Sequence, residues 1–173
     1  MLLIFNTSKI KVMIGLGNPD SKYQRTYHNA GYLFIDYLVS RDLAKPDKLL
    51  KSDFFMNESG ASVKKIMKKH GLKPEELLVA HDDSDIEIGR YKISFGRGSA
   101  GHKGVESIIK NLKTKKFWRL RIGARPMADL PAEFTSRRRK AGEFVLKKIS
   151  TEDKKTLEKV FGQISKVIFS TGN

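Results

Sequence analysis

Two short runs, Val12-Met-Ile-Gly15 and Leu77-Leu-Val-Ala80, constrain the fold of this 173-residue chain more than any other feature, because they are continuously apolar instead of alternating. That is the pattern of strands buried on both faces of a largely parallel sheet, and such strands need helices on each side. The sequence supplies those helices. Apolar residues recur at helical spacing in about 31–40 (Leu33, Phe34, Tyr37, Leu38), in 59–70 (Val63, Ile66, Met67, closed by Gly71), from Val105 to Leu112, and in about 151–170 (Leu157, Val160, Phe161, Ile164, Val167, Ile168). Arg90–Phe95 and Phe117–Gly123 alternate as half-exposed strands, the second with Trp118, Leu120 and Ile122 opposite Arg119 and Arg121; Leu49–Phe55 and Glu143–Leu146 read as shorter strands. Strand and helix therefore take turns, which predicts an α/β fold: a mixed, twisted sheet flanked by helices, in a single domain spanning 1–173. Residues 41–48 and 126–142 are expected to be loops, the second mobile and basic through Arg137-Arg-Arg-Lys140.

In such a sheet, ligands bind beyond the C-terminal ends of the strands. Both buried runs load polar residues there. The first is followed by Asn18 and then by His28-Asn-Ala-Gly31 at a helix start, the second by His81-Asp82-Asp83-Ser-Asp85, and Asn57 stands where another helix begins. A neutral imidazole can take a proton from water if a carboxylate fixes its tautomer and stabilises the imidazolium that forms, and carboxamides can hold a carbonyl or a developing oxyanion. Taken alone, His28 reads better as a satisfied core histidine; its company singles it out as a base.

Other motifs are weaker. Gly15-Leu-Gly17 after a strand resembles a dinucleotide fingerprint, but the third glycine would fall on Asp20, whose charge repels a pyrophosphate. Gly96 to Gly104, with four glycines in nine residues, is as compatible with a tight turn as with an anion cradle, and Gly104 after Lys103 breaks P-loop spacing. Asp82-Asp83-x-Asp85 could hold Mg²⁺, whereas four histidines without H-x-H or H-E-x-x-H spacing give no transition-metal site. No resident metal or cofactor is expected.

The absence of cysteine excludes disulfides and thiolate chemistry and is compatible with the reducing cytoplasm, the expected location. The apolar Met1–Phe5 is too short for a membrane span and lacks the basic flank of a signal peptide, so no membrane partner is expected. Net charge is +15, and it is uneven: +4 over residues 1–109 and +11 over 110–173. A polyanionic partner such as nucleic acid accounts for that asymmetry; a solubilising surface accounts only for the total.

Gly15-Leu-Gly-Asn-Pro19, Tyr23, His28-Asn-Ala-Gly31, Phe55-Met-Asn57-x-Ser-Gly60, His81-Asp82-x-x-Asp85, Gly101-His102-x-Gly104 and Arg119-Leu-Arg-Ile-Gly123 together resemble, in order and spacing, the motif set of bacterial-type peptidyl-tRNA hydrolases. The resemblance implies a monomeric α/β esterase that cleaves peptide from the 3′ ribose of tRNA, with peptidyl-tRNA as its partner. It implies His28 as the base that activates water, Asp82 as its carboxylate, and Asn18 as the contact to the peptide backbone. It implies Tyr23, Phe55, Met56 and Asn57 as lining for the tRNA 3′ end and adjoining peptide, and Arg119 and Arg121, with Lys92, as phosphate contacts. The chain departs from the family pattern at three points. Lys103 replaces an asparagine and is read as one more tRNA phosphate contact, Ser94 replaces a lysine, and the interval from His28 to Asn57 is short enough to open one edge of the sheet. The competing expectation is a non-catalytic RNA-binding protein on the same scaffold, which would have no use for a base and its orienting acid.

Overall fold

The structure, a computed structural model, describes residues 5–125 and 144–169. Five strands form one mixed sheet: β1 (Val12–Gly15), β2 (Leu49–Lys51), β3 (Leu77–Glu87), β4 (Tyr91–Phe95) and β5 (Trp118–Arg125). Their order is β2-β1-β3-β5-β4, parallel except for β4, which pairs antiparallel with β5. Alternation along the central strands assigns the helices to faces. Leu78 and Ala80 meet Phe34, Ile35 and Leu38 of α1 (Ala30–Ser40) and Leu157, Phe161 and Ile164 of α4 (Thr151–Phe169). Leu77 and Val79, pointing the other way, meet Val63 and Met67 of α2 (Ser59–His70) and Val105 and Ile108 of α3 (Lys103–Leu112). The expected α/β architecture is therefore present, with α2 ended by Gly71 in the left-handed conformation at φ +60°.

Three strand expectations change. β3 does not stop with its apolar run at Ala80; it continues through the acidic stretch to Glu87 because β5 pairs with it, while β1 ends opposite Ala80. Asp82 and Asp83 thus lie within a strand, beyond the point where β1 leaves one of its edges unpaired. Leu49–Phe55 shrinks to the three-residue edge strand β2. Residues 144–146 are turn and not strand, and only Lys148 forms a bridge, with Thr26. Glu143 and the basic stretch 126–142 lie outside the described residues.

The site depends on how closely α1 approaches the sheet. A Cβ on Gly31 would sit 2.6 Å from the Leu16 nitrogen and crowd the Ala80 carbonyl oxygen, both backbone atoms that cannot swing aside. Gly31→Ala is therefore expected to destabilise the protein by about 1–3 kcal/mol or more, seen as a lower urea midpoint at unchanged m value.

Candidate active site

Three chain segments converge beyond the C-terminal end of β1. The first is the crossover from β1 to α1. Its backbone is held by Asn29, whose Oδ1 accepts from the Asn18 N–H at 2.8 Å and whose Nδ2 donates to the Asn18 carbonyl at 3.0 Å. The Asn18 side chain then accepts the Met56 N–H through Oδ1 at 2.8 Å. That bond fixes the amide's orientation, and Nδ2 is left without a partner among the described residues. Ten residues on, the His28 N–H donates to the Val145 carbonyl at 2.7 Å, and the neighbouring Tyr27 hydroxyl donates to Asp153 of α4 at 2.5 Å.

The second segment is the outer half of β3. Asp82 is 2% exposed, and its Oδ1 receives two imidazoles: His28 Nδ1 at 2.8 Å and His102 Nε2 at 2.9 Å. Burial alone would raise the Asp82 pKa, but the charges of His28 and His102 and their hydrogen bonds hold it well below the ordinary carboxylate range. A permanent carboxylate fixes the His28 proton on Nδ1. Nε2 has no partner among the described residues, and the ring lines a cavity of about 260 Å³. Burial pushes the His28 pKa down, the Asp82 charge and hydrogen bond push it up more strongly, and Lys103 pushes it down again; the net shift is upward.

The third segment is the Gly-rich loop and the start of α3. His102 caps this helix, accepting the Val105 N–H on Nδ1 at 3.2 Å. That nitrogen needs its lone pair, so the proton sits on Nε2 and faces Asp82. The donor atoms of His28, Asp82 and His102 lie within 4.8 Å of one another, a spacing that a metal ion could use. The proton on His102 Nε2 occupies the position a metal would need, so the trio reads as a hydrogen-bonded relay. Behind it, His81 is 1% exposed, donates from Nδ1 to the Asp82 carbonyl at 2.6 Å and meets the His102 ring edge to face. Burial, followed by the His102 charge, drives the His81 pKa well down.

The expected residues divide by position. His28, Asp82 and Lys103 share the cavity wall with Ala100, Gly101 and Val145. Asn18 is not among the residues lining that cavity and borders a different hollow, with Tyr32 and Ser52. Met56 does not line the site with its side chain, which is 4% exposed and packs into the α2–α3 core; only its N–H reaches Asn18. Asn57 and Phe55 are exposed, and Tyr23 is half-buried with the Lys22 ammonium over its ring. Arg119 and Arg121 share the face of Val79 and His81; neither lines the cavity, although Asp83, which Arg121 binds, does. Arg121 binds Asp83 at 2.6 Å, while Arg119 is 2% exposed beside it, and burial followed by the Arg121 charge lowers its pKa to about 10. Asp82 and Asp83 turn to opposite faces of β3 and Asp83 is taken by Arg121, so the acidic stretch does not assemble a Mg²⁺ site. Sequence reasoning passed over His102 and Asn29. The first was signalled by its place between Gly101 and Gly104, the second only by its position next to His28.

The peptidyl-tRNA hydrolase family model matches residues 12–49 and 43–171. A peptidyl-tRNA hydrolase of Persephonella marina is 33% identical over 181 residues, covering 93% of this chain and 90% of that protein. One from Neisseria meningitidis serogroup C is 37% identical over 172 residues, covering 88% and 85%. Among solved structures, the peptidyl-tRNA hydrolase of Acinetobacter baumannii superimposes with a TM-score of 0.75 at 26% identity, covering 96% of this chain and 91% of that one. Similarity that runs from the first strand to the last helix and takes in every segment converging on Asp82 means that this chain belongs to the peptidyl-tRNA hydrolase family.

Proposed function

We propose that this chain hydrolyses the ester between a peptide and the 3′ end of tRNA, with His28 as general base, acting as a monomer in the cytoplasm. The observation that carries the reading is the His28–Asp82 pair: a carboxylate on Nδ1 and an unpartnered Nε2 on a cavity wall. A water at Nε2 gives up its proton as its oxygen attacks the ester carbonyl. The tetrahedral intermediate then expels the ribose oxygen, which takes the proton back from His28. Among the described residues no helix is long and apolar enough to cross a membrane. The excess of positive charge in the last third supports a tRNA substrate. Tyr23, Phe55 and Asn57 are assigned to the tRNA 3′ end, and Arg121 to phosphate, with Arg119 beneath it.

Release of peptide from N-acetyl-aminoacyl-tRNA over time, with free aminoacyl-tRNA as control, tests the reading; a chain that binds RNA without turnover would overturn it. Asn18 supplies the discrimination between the two substrates. Its Oδ1 is occupied by Met56, so Nδ2 is the atom available to a peptide carbonyl. Asn18→Asp keeps the Met56 acceptor but replaces that donor with a charged oxygen that attracts a free α-ammonium. The ratio of kcat/KM for blocked over free aminoacyl-tRNA should fall by about tenfold or more, the scale of one hydrogen bond with charge; an unchanged ratio would place the peptide contact elsewhere.

A further inference from the structure

We infer that Lys103 is a catalytic residue: its ammonium stabilises the oxyanion formed when water attacks the ester carbonyl in the cavity it shares with His28 and Asp82. The inference rests on the hydrolase reading and concerns a position where this chain departs from its family's pattern. Lys103 is the first residue of α3, directly after the His102 that binds Asp82. A cation is disfavoured there, because the start of a helix is already the positive end of its dipole. An anion arriving there would relieve that repulsion. No acidic side chain meets it: Lys103 is exposed and makes no ion pair among the described residues. The backbone N–H groups of Lys103 and Gly104 likewise donate to nothing among the described residues. The ammonium and both N–H groups therefore stand at the positive end of the helix without a partner among the described residues.

Two anions could fill it, a tRNA phosphate or the reaction's own oxyanion. The cavity wall decides between them. Lys103 lines the same space as the base, near enough for its charge to act on the His28 ring, while Arg121 is not part of that lining and its guanidinium is already paired with Asp83, which is. The water oxygen bonds to the carbonyl carbon, its proton passes to His28 Nε2, and the carbonyl π pair moves onto oxygen, giving the anion that Lys103 neutralises. The pair returns to re-form the carbonyl as the C–O bond to ribose breaks, and the departing ribose oxygen takes the proton from His28. Lys103 keeps its own proton throughout and acts by charge alone. Because the oxyanion does not exist in the bound substrate, the benefit falls on kcat and not on binding.

The test is kinetics of the full chain carrying Lys103→Met or Lys103→Arg on N-acetyl-aminoacyl-tRNA, as a function of salt. Lys103→Met, similar in length and without charge, should lower kcat by about 10²–10³-fold, the range for loss of one oxyanion donor. KM and its salt dependence should stay within about twofold of the parent, and Lys103→Arg should recover most of kcat. A raised KM with a flattened salt slope and intact kcat would assign Lys103 to a phosphate and overturn the proposal. Unchanged kinetics would overturn it as well, and so would loss in Lys103→Met that Lys103→Arg does not repair. An inactive parent chain would instead overturn the hydrolase reading on which this one stands.

Discussion

Replacing His28 with alanine is expected to reduce single-turnover release of peptide by at least about 10²–10⁴-fold, the contribution of a positioned general base, while affinity for the tRNA ester changes little. The split follows from where the ring stands. Nδ1 is committed to Asp82 and Nε2 faces the cavity, so the ring has a proton to move and no structural load on that side. The parent's pH profile carries a second signature. A base works when unprotonated, and the net upward shift of His28 places the acid limb of kcat/KM above the ordinary histidine value of 6.5. The rate should rise with pH through that limb, and in His28→Ala the limb should vanish. A mutant that retains the limb would show that another group titrates there.

Asp82→Asn is expected to be nearly as damaging, by roughly 10²–10⁴-fold in kcat. The amide oxygen can still accept from both imidazoles, so the geometry survives; the charge does not. With the charge gone, the remaining hydrogen bond no longer outweighs burial and Lys103, the His28 pKa falls, and the acid limb moves to lower pH while the plateau drops. These opposed movements distinguish lost electrostatics from misfolding, which would lower the plateau and leave the limb in place. Stability should respond as well. The native Asp82 carboxyl titrates well below its ordinary 3.8, so the unfolded chain takes up its proton first and this residue's contribution, full above that pH, is lost as pH falls below it. Asp82→Asn should flatten that part of the acid-denaturation curve. A normal pH–rate profile for this mutant would count against the pairing.

Much of the scaffold was legible in the sequence because it rests on periodicity. The two continuous apolar runs and the four helical stripes marked β1, β3 and α1 to α4, since a side chain's face follows from its number along a strand or helix. The end of β3 was misplaced for the same reason. An apolar run reports burial on two faces, whereas β3 beyond Ala80 has β5 on one edge only and buries charge by pairing it, Asp83 with Arg121 and Asp82 with two histidines. Strand pairing between distant segments leaves no mark in local spacing. His28 and Asp82 stood out as a candidate base and acid because each follows a buried apolar run. His102 did not, because its role depends on the turn of the Gly-rich loop that brings Nε2 to the same oxygen. The burial of the Met56 side chain was not legible, because a motif records that a residue matters, not whether side chain or backbone does the work.

The backbone around the base is tied to a part of the chain made much later. The N–H groups of Tyr27 and His28 donate to Lys147 and Val145, Ile149 donates to Arg25, and the contacts from Lys148 to Lys22 and from Tyr27 to Asp153 each span 126 residues. During synthesis β1, β3 and β5 leave the ribosome before any of these tethers exists. Strand pairing and helix packing can begin on the nascent chain, but the backbone that carries the imidazole lacks these tethers until residues beyond 145 emerge. The segment that carries His28 is thus anchored only after residues 145–153 have been made, and a chain cut short after β5 would hold a sheet and Asp82 without those tethers.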